Sequence, residues 1–375
     1  MTTISINGRF LSQPITGMQR YSHELMHAMD QTLANGSLKN AGVRFELLAP
    51  SGARNTLNLR HIPIRFVGHL TGHAWEQFEL PIYCRGKLLF TPSGGAPVIH
   101  DWHVMTIPDA AVFAAARAYS WRYAAWYRWL FQGIAKKAQR VLTISEFSKQ
   151  EIQKWCAVHP QKITVTHLGY EHILRVRPDN SIIARHGLDS QPFVLAVSSM
   201  NPNKNFQAIA DAVHLLRSHK IKFAIAGGMN SDVFGKTAAL PDNIAQLGYV
   251  TDAELRALYQ RALCFLFPSL YEGFGLPPLE AMACGCPVIV SRAASIPEVC
   301  GDAALYCDPS DPGDIAQQIL KIAESAECRE RLIQRGRSRV TRFSWQHAAR
   351  ETLDVLFNVV SERQKVFDEE IPSTT

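Results

Sequence analysis

The chain has 375 residues, 47% of them hydrophobic and 19% charged, with a formal charge of +6 and a pI near 8.9. That length exceeds one comfortable hydrophobic core and predicts two α/β domains, while the composition excludes disordered and fibrous classes. The positive charge favours anionic partners such as nucleotides, phosphates or acidic lipid surfaces. No Lys/Arg run, zinc-finger spacing or aromatic RNA-binding signature accompanies it, which sets nucleic acid aside.

In chain order, residues 4–7 read as a strand, followed by a polar loop through Pro14 and Gly17 and an amphipathic helix over 18–33. Further strands are predicted at 43–48, 87–91, 104–107, 141–144 and 163–166, with helical stretches between several of them. The segment 169–191 carries Pro178 and no long apolar run, and reads as a link between domains. The alternation then restarts with a strand at 193–198, a helix at 205–219, a strand at 222–226 and a helix at 253–261 opened by the capping box Thr251 to Glu254. A strand at 264–268, a short helix at 278–284 and a strand at 287–291 follow, and Asp311 with Pro312 begins another helix. Such alternation predicts parallel sheets covered on both faces. The expected domains are 1–170 and 190–343, with a final helix at about 345–365 packing back on the first.

Eight cysteines, Cys84, Cys156, Cys264, Cys284, Cys286, Cys300, Cys307 and Cys328, lack the paired gaps of a zinc site and read as reduced core residues. The opening MTTISINGRF lacks a basic segment followed by an apolar run, and no apolar stretch approaches bilayer length. A cytosolic protein is expected.

The most informative stretch is PSLYEGFGLPPLEAMACGCPVIVS, 268–291, which reads strand, glycine-rich loop, helix, strand. In open α/β sheets ligands lie outside the carboxyl ends of strands, where this loop falls. Gly273 and Gly275 let a ligand approach the backbone, and the amides of Phe274, Gly275 and Leu276 precede a helix N-terminus that favours anions or sugar hydroxyls. Glu272 in the loop and Glu280 in the helix can each accept from a vicinal diol, which suits a nucleotide sugar with one diol on the ribose and one on the hexose.

EGFGLPPLEAMACGCPVI closely resembles the signature of family-4 glycosyltransferases. The resemblance implies a retaining enzyme with the GT-B fold, two facing Rossmann-like domains of doubly wound parallel sheet with a cleft between them. It also implies that Glu272 contacts the donor sugar and Glu280 the ribose. SSMNPNKNF, 198–206, resembles the donor-diphosphate loop, with Ser199 beside the phosphates and Lys204 in place of the phosphate-binding lysine. FLSQPITGMQRY resembles the glycine loop that brings Thr16 and Gly17 near the diphosphate, with Arg20 in the helix behind. TIPDAAVF matches a segment in which a His-Asp pair ends a strand at the active site; here Pro108 occupies the histidine position and Asp109 remains, with His100 and His103 near in sequence. In LTISEFSKQEI, Ser145 caps a helix and Glu146 is a candidate acceptor or sugar contact.

From the resemblance, catalysis is assigned to Glu272, Lys204 and Asp109, without a metal and without a cofactor beyond the nucleotide-sugar co-substrate. The closest kind of member is a bacterial mannosyltransferase of surface-polysaccharide synthesis. GDP-mannose is then the first expected donor and a UDP-sugar the second, with a saccharide or polyprenyl-diphosphate-linked saccharide as acceptor. The segment 117–140 mixes tryptophans and tyrosines with Lys and Arg, which suits either an anionic membrane surface at the inner face of the cytoplasmic membrane or a helix that buries its aromatic face. A non-catalytic sugar-nucleotide-binding protein and a GT-B-type enzyme of another reaction are the alternatives. A dinucleotide oxidoreductase is disfavoured because no Gly-x-Gly-x-x-Gly follows the first strand.

Overall fold

The computed structural model describes residues 2–34, 42–93, 95–115, 119–198, 201–227 and 243–370. It divides into two units, one comprising Met1–Ala114, Ser120–Gly169 and Ser344–Thr375, the other centred on Tyr170–Phe343.

The first unit is built on seven strands, β1 (Thr2–Asn7), β2 (Val43–Pro50), β3 (Ile64–Val67), β4 (Leu88–Thr91), β5 (His103–Thr106), β6 (Arg140–Thr143) and β7 (Ile163–Val165). All their pairings are parallel, in the order β3-β2-β1-β4-β5-β6-β7. The strand order therefore reverses between β1 and β4. Ile4, Ile6, Leu47, Leu89, Phe90, Val104 and Leu142 are fully buried on the sheet, each worth about 1.5–3 kcal/mol of hydrophobic stabilisation. The helices of this unit include α1 (Gly17–Ala34), α2 (Trp121–Lys137) and α3 (Glu146–Cys156). The last helix of the chain, Trp345–Glu370, belongs to this unit and packs along α1.

The second unit holds β8 (Phe193–Ser198), β9 (Lys222–Gly227), β10 (Ile244–Gly248), β11 (Cys264–Phe267), β12 (Val288–Ser291) and β13 (Ala304–Cys307) in the parallel order β10-β9-β8-β11-β12-β13, reversing between β8 and β11. Val194, Phe223, Ile225, Leu266 and Ile289 form its core with Ile209, Val213, Ile315 and Ile319.

Three strands escaped the sequence reading. β3 shows solvent Arg65 and Phe66 at the sheet edge, β10 has only Leu247 buried among five residues, and β13 is a four-residue piece with half-exposed Leu305 and Tyr306. β3 and β10 present neither the apolar run nor the clean alternation on which strand recognition depends, and β13, an apolar run of four residues, is at the lower limit of strand length. The segment 169–191 is not a bare link. It forms α4 (Glu171–Arg175) and α5 (Ser181–Arg185), which pack on α7 (Asp252–Arg261), the helix that follows α6 (Phe206–Leu215). Arg185 Nη1 meets Glu254 Oε1 at 3.0 Å, and Arg256 Nη1 donates to the Leu174 carbonyl at 2.8 Å. Tertiary partners supply the order that local composition does not. α6 also ends four residues before the predicted 219, and α7 carries the Thr251 to Glu254 capping box in full.

Candidate functional site

At the reversal point of the second sheet, two loops leave the carboxyl ends of β8 and β11 side by side. The loop after β8 runs through Asn201, whose side chain accepts from the Asn203 amide at 2.9 Å, into a single 3-10 turn ending at Lys204. Asn205 then takes a left-handed backbone conformation at φ +53°, which asparagine tolerates better than most residues. Its Nδ2 donates to the carbonyls of Pro268 at 3.2 Å and Pro309 at 2.7 Å, and the Leu270 amide donates to the Asn203 carbonyl at 2.8 Å. The two loops are thus stitched together by the Asn205 side chain and one backbone hydrogen bond.

This stitching sets Lys204 against Glu272. Lys204 Nζ lies 2.7 Å from Glu272 Oε1 and 4.6 Å from the centre of the Phe267 ring, with the two side chains 22% and 16% exposed. The buried hydroxyl of Ser295 reaches the carbonyls of Glu272 at 2.8 Å and Phe274 at 2.9 Å, fastening the loop from beneath. Phe274 is buried edge-on against Phe343 at 5.7 Å, so its side chain anchors the loop and only its backbone remains for a ligand. Gly275 sits at φ +106°, a conformation few side chains accept, with open space where a Cβ would project. It opens α8 (Leu276–Ala283), in which Pro277 and Pro278 carry no N–H. Donors toward an anion are therefore restricted to amides at and before Leu276.

Glu280 lies one turn into α8, and its surroundings differ from those of Glu272. It is 7% exposed, its Oε1 accepts from His172 Nε2 at 2.7 Å, and its Oε2 accepts from the Tyr259 hydroxyl at 3.1 Å. Burial, then the Glu280 charge, pushes the Tyr259 hydroxyl well above its usual pKa, so it stays a donor. A carboxylate has about four acceptor positions, and two hydrogen bonds leave capacity for a diol. One glutamate is thus held by a cation and the other by two donors on α4 and α7. Ser199 lies outside the described residues.

In the first unit, Thr16 and Gly17 are exposed at the start of α1, where the Thr16 hydroxyl and amide both reach Gln19 Oε1. The Thr16 carbonyl accepts from the Arg20 amide at 2.8 Å, and nothing crowds the Gly17 Cα. Asp109 caps a short helix, its Oδ1 accepting from the Ala111 amide at 2.8 Å, and the neighbouring Pro108 carbonyl accepts from the Thr143 hydroxyl at 3.3 Å. His100 and His103 sit at the amino end of β5, the opposite end from Asp109, so neither replaces the imidazole absent at 108. Ser145 caps α3 by accepting from the Ser148 amide at 3.0 Å, and Glu146 is exposed in its first turn. The eight cysteines are free thiols, and burial pushes Cys284 up to about 12. A cavity of about 600 Å³ lined by Lys87, His100, Trp102 and Arg363 lies at the amino ends of β4 and β5, away from these loops.

His172, Tyr259, Ser295 and Asn205 are the site residues that sequence reasoning missed. Asn205 alone had a local signal, an asparagine directly before a helix. His172 fell in the stretch read as a link, and Ser295 lies 23 residues from the backbone it holds.

Residues 179–339 match the family described as glycosyl transferases group 1, and residues 71–172 match Glycosyltransferase Family 4. The O-antigen chain mannosyltransferase B of Escherichia coli is 28% identical over 367 residues, 92% of this chain and 96% of that protein. The MMP alpha-(1->4)-mannosyltransferase of Mycolicibacterium hassiacum is 30% identical over 293 residues, 72% of this chain and 68% of that protein. Among solved structures, Anabaena HepE in complex with UDP and glucose superposes with a TM-score of 0.70 at 15% identity, covering 96% of this chain and 100% of HepE. Two parallel sheets with matching strand order, the whole-length likeness and both family matches converge on one assignment: the chain belongs to the group 1, family-4 glycosyltransferases, and is a hexosyltransferase of GT-B fold.

Proposed function

We propose that the protein is a retaining mannosyltransferase that moves mannose from GDP-mannose to a saccharide or lipid-linked saccharide acceptor in surface-polysaccharide synthesis. The O-antigen and MMP mannosyltransferases support the sugar. The observation that carries the reading is the Lys204–Glu272 pair at 2.7 Å, set where the second sheet reverses its strand order. A sugar nucleotide brings a diphosphate for the ammonium and hydroxyls for the carboxylate, so each partner exchanges the other for a ligand group of matching chemistry.

In this reading Lys204, with the loop containing Ser199, neutralises the diphosphate while the anomeric C–O bond breaks and its electron pair leaves with GDP. The acceptor oxygen bonds to the same face of the sugar, and its proton passes to the departing phosphate. Glu272 and the amides of Gly273, Phe274, Gly275 and Leu276 hold the sugar, and Glu280 holds the ribose. Thr16 and Gly17 are assigned to the diphosphate and Asp109 to the catalytic group on the family resemblance. Preorganised charge at the leaving group lowers the barrier without reorganisation during the reaction. Thermal shift with GDP-mannose, GDP, UDP-glucose and UDP tests the donor, since a ligand that binds only the folded state raises Tm. Transfer of label from GDP-mannose to a mannose-terminated acceptor tests the reaction. Stabilisation by UDP-sugars alone, or donor binding with neither hydrolysis nor transfer, refutes the proposed donor or the proposed catalysis respectively.

The outer face of α2 supports a peripheral membrane contact. Trp121 is 76% and Trp129 56% exposed, Arg122 and Lys136 are exposed beside them, and the helix contains no acidic residue. No described helix is long and apolar enough to cross a membrane. Arg128 is a poor probe of this contact, because its Nε donates to the Val112 carbonyl at 2.7 Å. Arg122→Glu with Lys136→Glu abolishes binding to anionic vesicles if the reading holds; binding unchanged by the substitutions, or by high salt, refutes it.

A further inference from the structure

The first unit holds a buried charge network to which the donor chemistry assigns no role. Glu76 has no solvent exposure, and three side chains converge on its carboxylate: Asn7 Nδ2 at 2.8 Å and Arg9 Nε at 3.1 Å on Oε1, and His73 Nδ1 at 3.2 Å on Oε2. Asn7 is the last residue of β1, and its amide also reaches the Gly95 carbonyl, beyond the end of β4, at 3.5 Å. These are the two strands between which this sheet reverses its order, and ligands of open α/β sheets sit outside the carboxyl ends of strands at such a reversal. Glu76 is carried on a five-residue π-helical turn, Trp75–Glu79, a rare conformation that recurs at functional sites. A Cβ at Gly95 would lie 2.4 Å from Leu130 Cδ2 and 3.4 Å from Glu76 Oε2, so the backbone there approaches as closely as glycine permits.

The network orients His73. With Nδ1 facing the buried carboxylate, the proton sits on Nδ1 and Nε2 is left as an acceptor, the tautomer being inferred from the hydrogen bonds. Arg9 Nη1 at 3.5 Å and the Tyr127 hydroxyl at 3.4 Å lie at the outer limit of bonding to Nε2, and the His73 side chain is 38% exposed. Around it stand Tyr127 and Trp126, both edge-on to the imidazole at 5.9 and 5.8 Å, with Trp129 5.4 Å beyond Trp126.

We propose that this is a saccharide-binding site for a neutral sugar unit of the acceptor, with His73 Nε2 and the Tyr127 hydroxyl bonding to sugar hydroxyls and Trp126 covering a C–H face of the ring. The proposal rests on the glycosyl-transfer reading. The ligand class follows from the charge balance, because Arg9 and Glu76 compensate each other and leave no unpaired cation for a phosphate. It follows also from shape, since directional polar groups beside exposed aromatic faces suit a ligand with alternating hydroxyl edges and apolar faces. A purely hydrocarbon partner would leave the His73 acceptor and the Tyr127 hydroxyl with only their long contacts of 3.4 and 3.5 Å.

The experiment titrates the full-length protein with methyl α-mannoside and α-mannobiose, followed by saturation-transfer NMR and calorimetry, in parallel with GDP. His73→Ala and Trp126→Ala are expected to weaken saccharide binding about tenfold or more, the loss of one or two hydrogen bonds or a stacked face, while GDP affinity and Tm stay near wild type. Glu76→Gln serves as a second variant, expected to weaken saccharide binding without removing any atom that touches the sugar. Saccharide affinity unchanged in His73→Ala and Trp126→Ala overturns the proposal, as does wild-type protein that binds GDP but neither saccharide at millimolar concentration. If Trp126→Ala loses vesicle binding and keeps saccharide binding, the aromatic face belongs to a membrane contact and the proposal also fails. Failure of GDP itself to bind would instead count against the donor reading, so the two failures are distinguishable.

Discussion

Replacing Glu280 with glutamine separates a ribose contact from a purely structural role. The carboxylate is nearly buried and accepts from His172 Nε2 at 2.7 Å and from the Tyr259 hydroxyl at 3.1 Å. Glutamine keeps the volume but supplies one acceptor oxygen and one NH2. If the oxygen stays on His172, the NH2 faces Tyr259, whose hydroxyl can turn to accept, and both bonds to a charged group become neutral ones. Bonds to charged groups contribute about 1.5–3 kcal/mol and neutral ones about 0.5–1.5, so the exchange costs about 2–3 kcal/mol of stability. The two remaining acceptor positions of the carboxylate, assigned to the ribose diol, are lost or inverted as well. Donor affinity is therefore expected to fall by a further 1.5–3 kcal/mol, roughly ten- to a hundredfold. The assay is calorimetric titration of GDP, 2′-deoxy-GDP and 3′-deoxy-GDP against both proteins. Wild type should discriminate against the deoxy ligands, and Glu280→Gln should bind all three with similar, weaker affinity. A variant with lowered Tm but unchanged GDP affinity refutes the ribose assignment and leaves Glu280 as a tie between α4, α7 and α8.

Three further outcomes follow from the same geometry. Lys204→Ala removes a partly buried ion pair worth about 1 kcal/mol at most to stability, yet turnover should fall about a hundredfold or more; equal losses of Tm and activity would make the lysine structural. Ser295→Ala strips the hydroxyl from the Glu272 and Phe274 carbonyls, costing about 1–2 kcal/mol and raising the donor KM more than it lowers kcat; unaltered kinetics would show that the loop holds its shape unaided. Burial lowers His103 to about 4, below its usual value near 6.5, so the unfolded chain takes up the proton first. That stability is fully present above pH 6.5 and is lost as the pH falls through 4, to the extent of roughly 3 kcal/mol. His103→Asn should flatten the denaturation profile between those limits, leaving a residual slope from His23, which burial also lowers to about 4. An unchanged slope in the His103 variant would refute its contribution.

The main β-α alternation could be read along the chain because a parallel strand covered on both faces is a short apolar run, as β4, β8 and β11 are, while β1 alternates Ile4 and Ile6 with Ser5 and Asn7. Edge strands β3 and β10 could not, since solvent on one side removes the pattern. The Glu272–Glu280 segment was legible because its glycine, its helix start and both carboxylates lie within one short stretch of chain. The loop carrying Lys204 was legible only through its likeness to a known family.

What the sequence determined by itself, then, was what has a local cause: which segments alternate, where a capping box or a close-approach glycine falls, and which short motif carries the candidate site residues. Tertiary structure decided which distant groups meet. Lys204 and Glu272 are 68 positions apart, His172 and Glu280 108, and Arg9 and Glu76 67. The first pair meets because parallel strands β8 and β11 return their carboxyl ends side by side, the second because α4 packs on α7, whose Tyr259 also reaches Glu280, and the third because a π-helical turn lies over the end of β1. A hydrogen bond of 2.7 Å depends on where two loops end in space, and that position comes from the summed packing of the strands and helices beneath them, which no stretch of sequence contains.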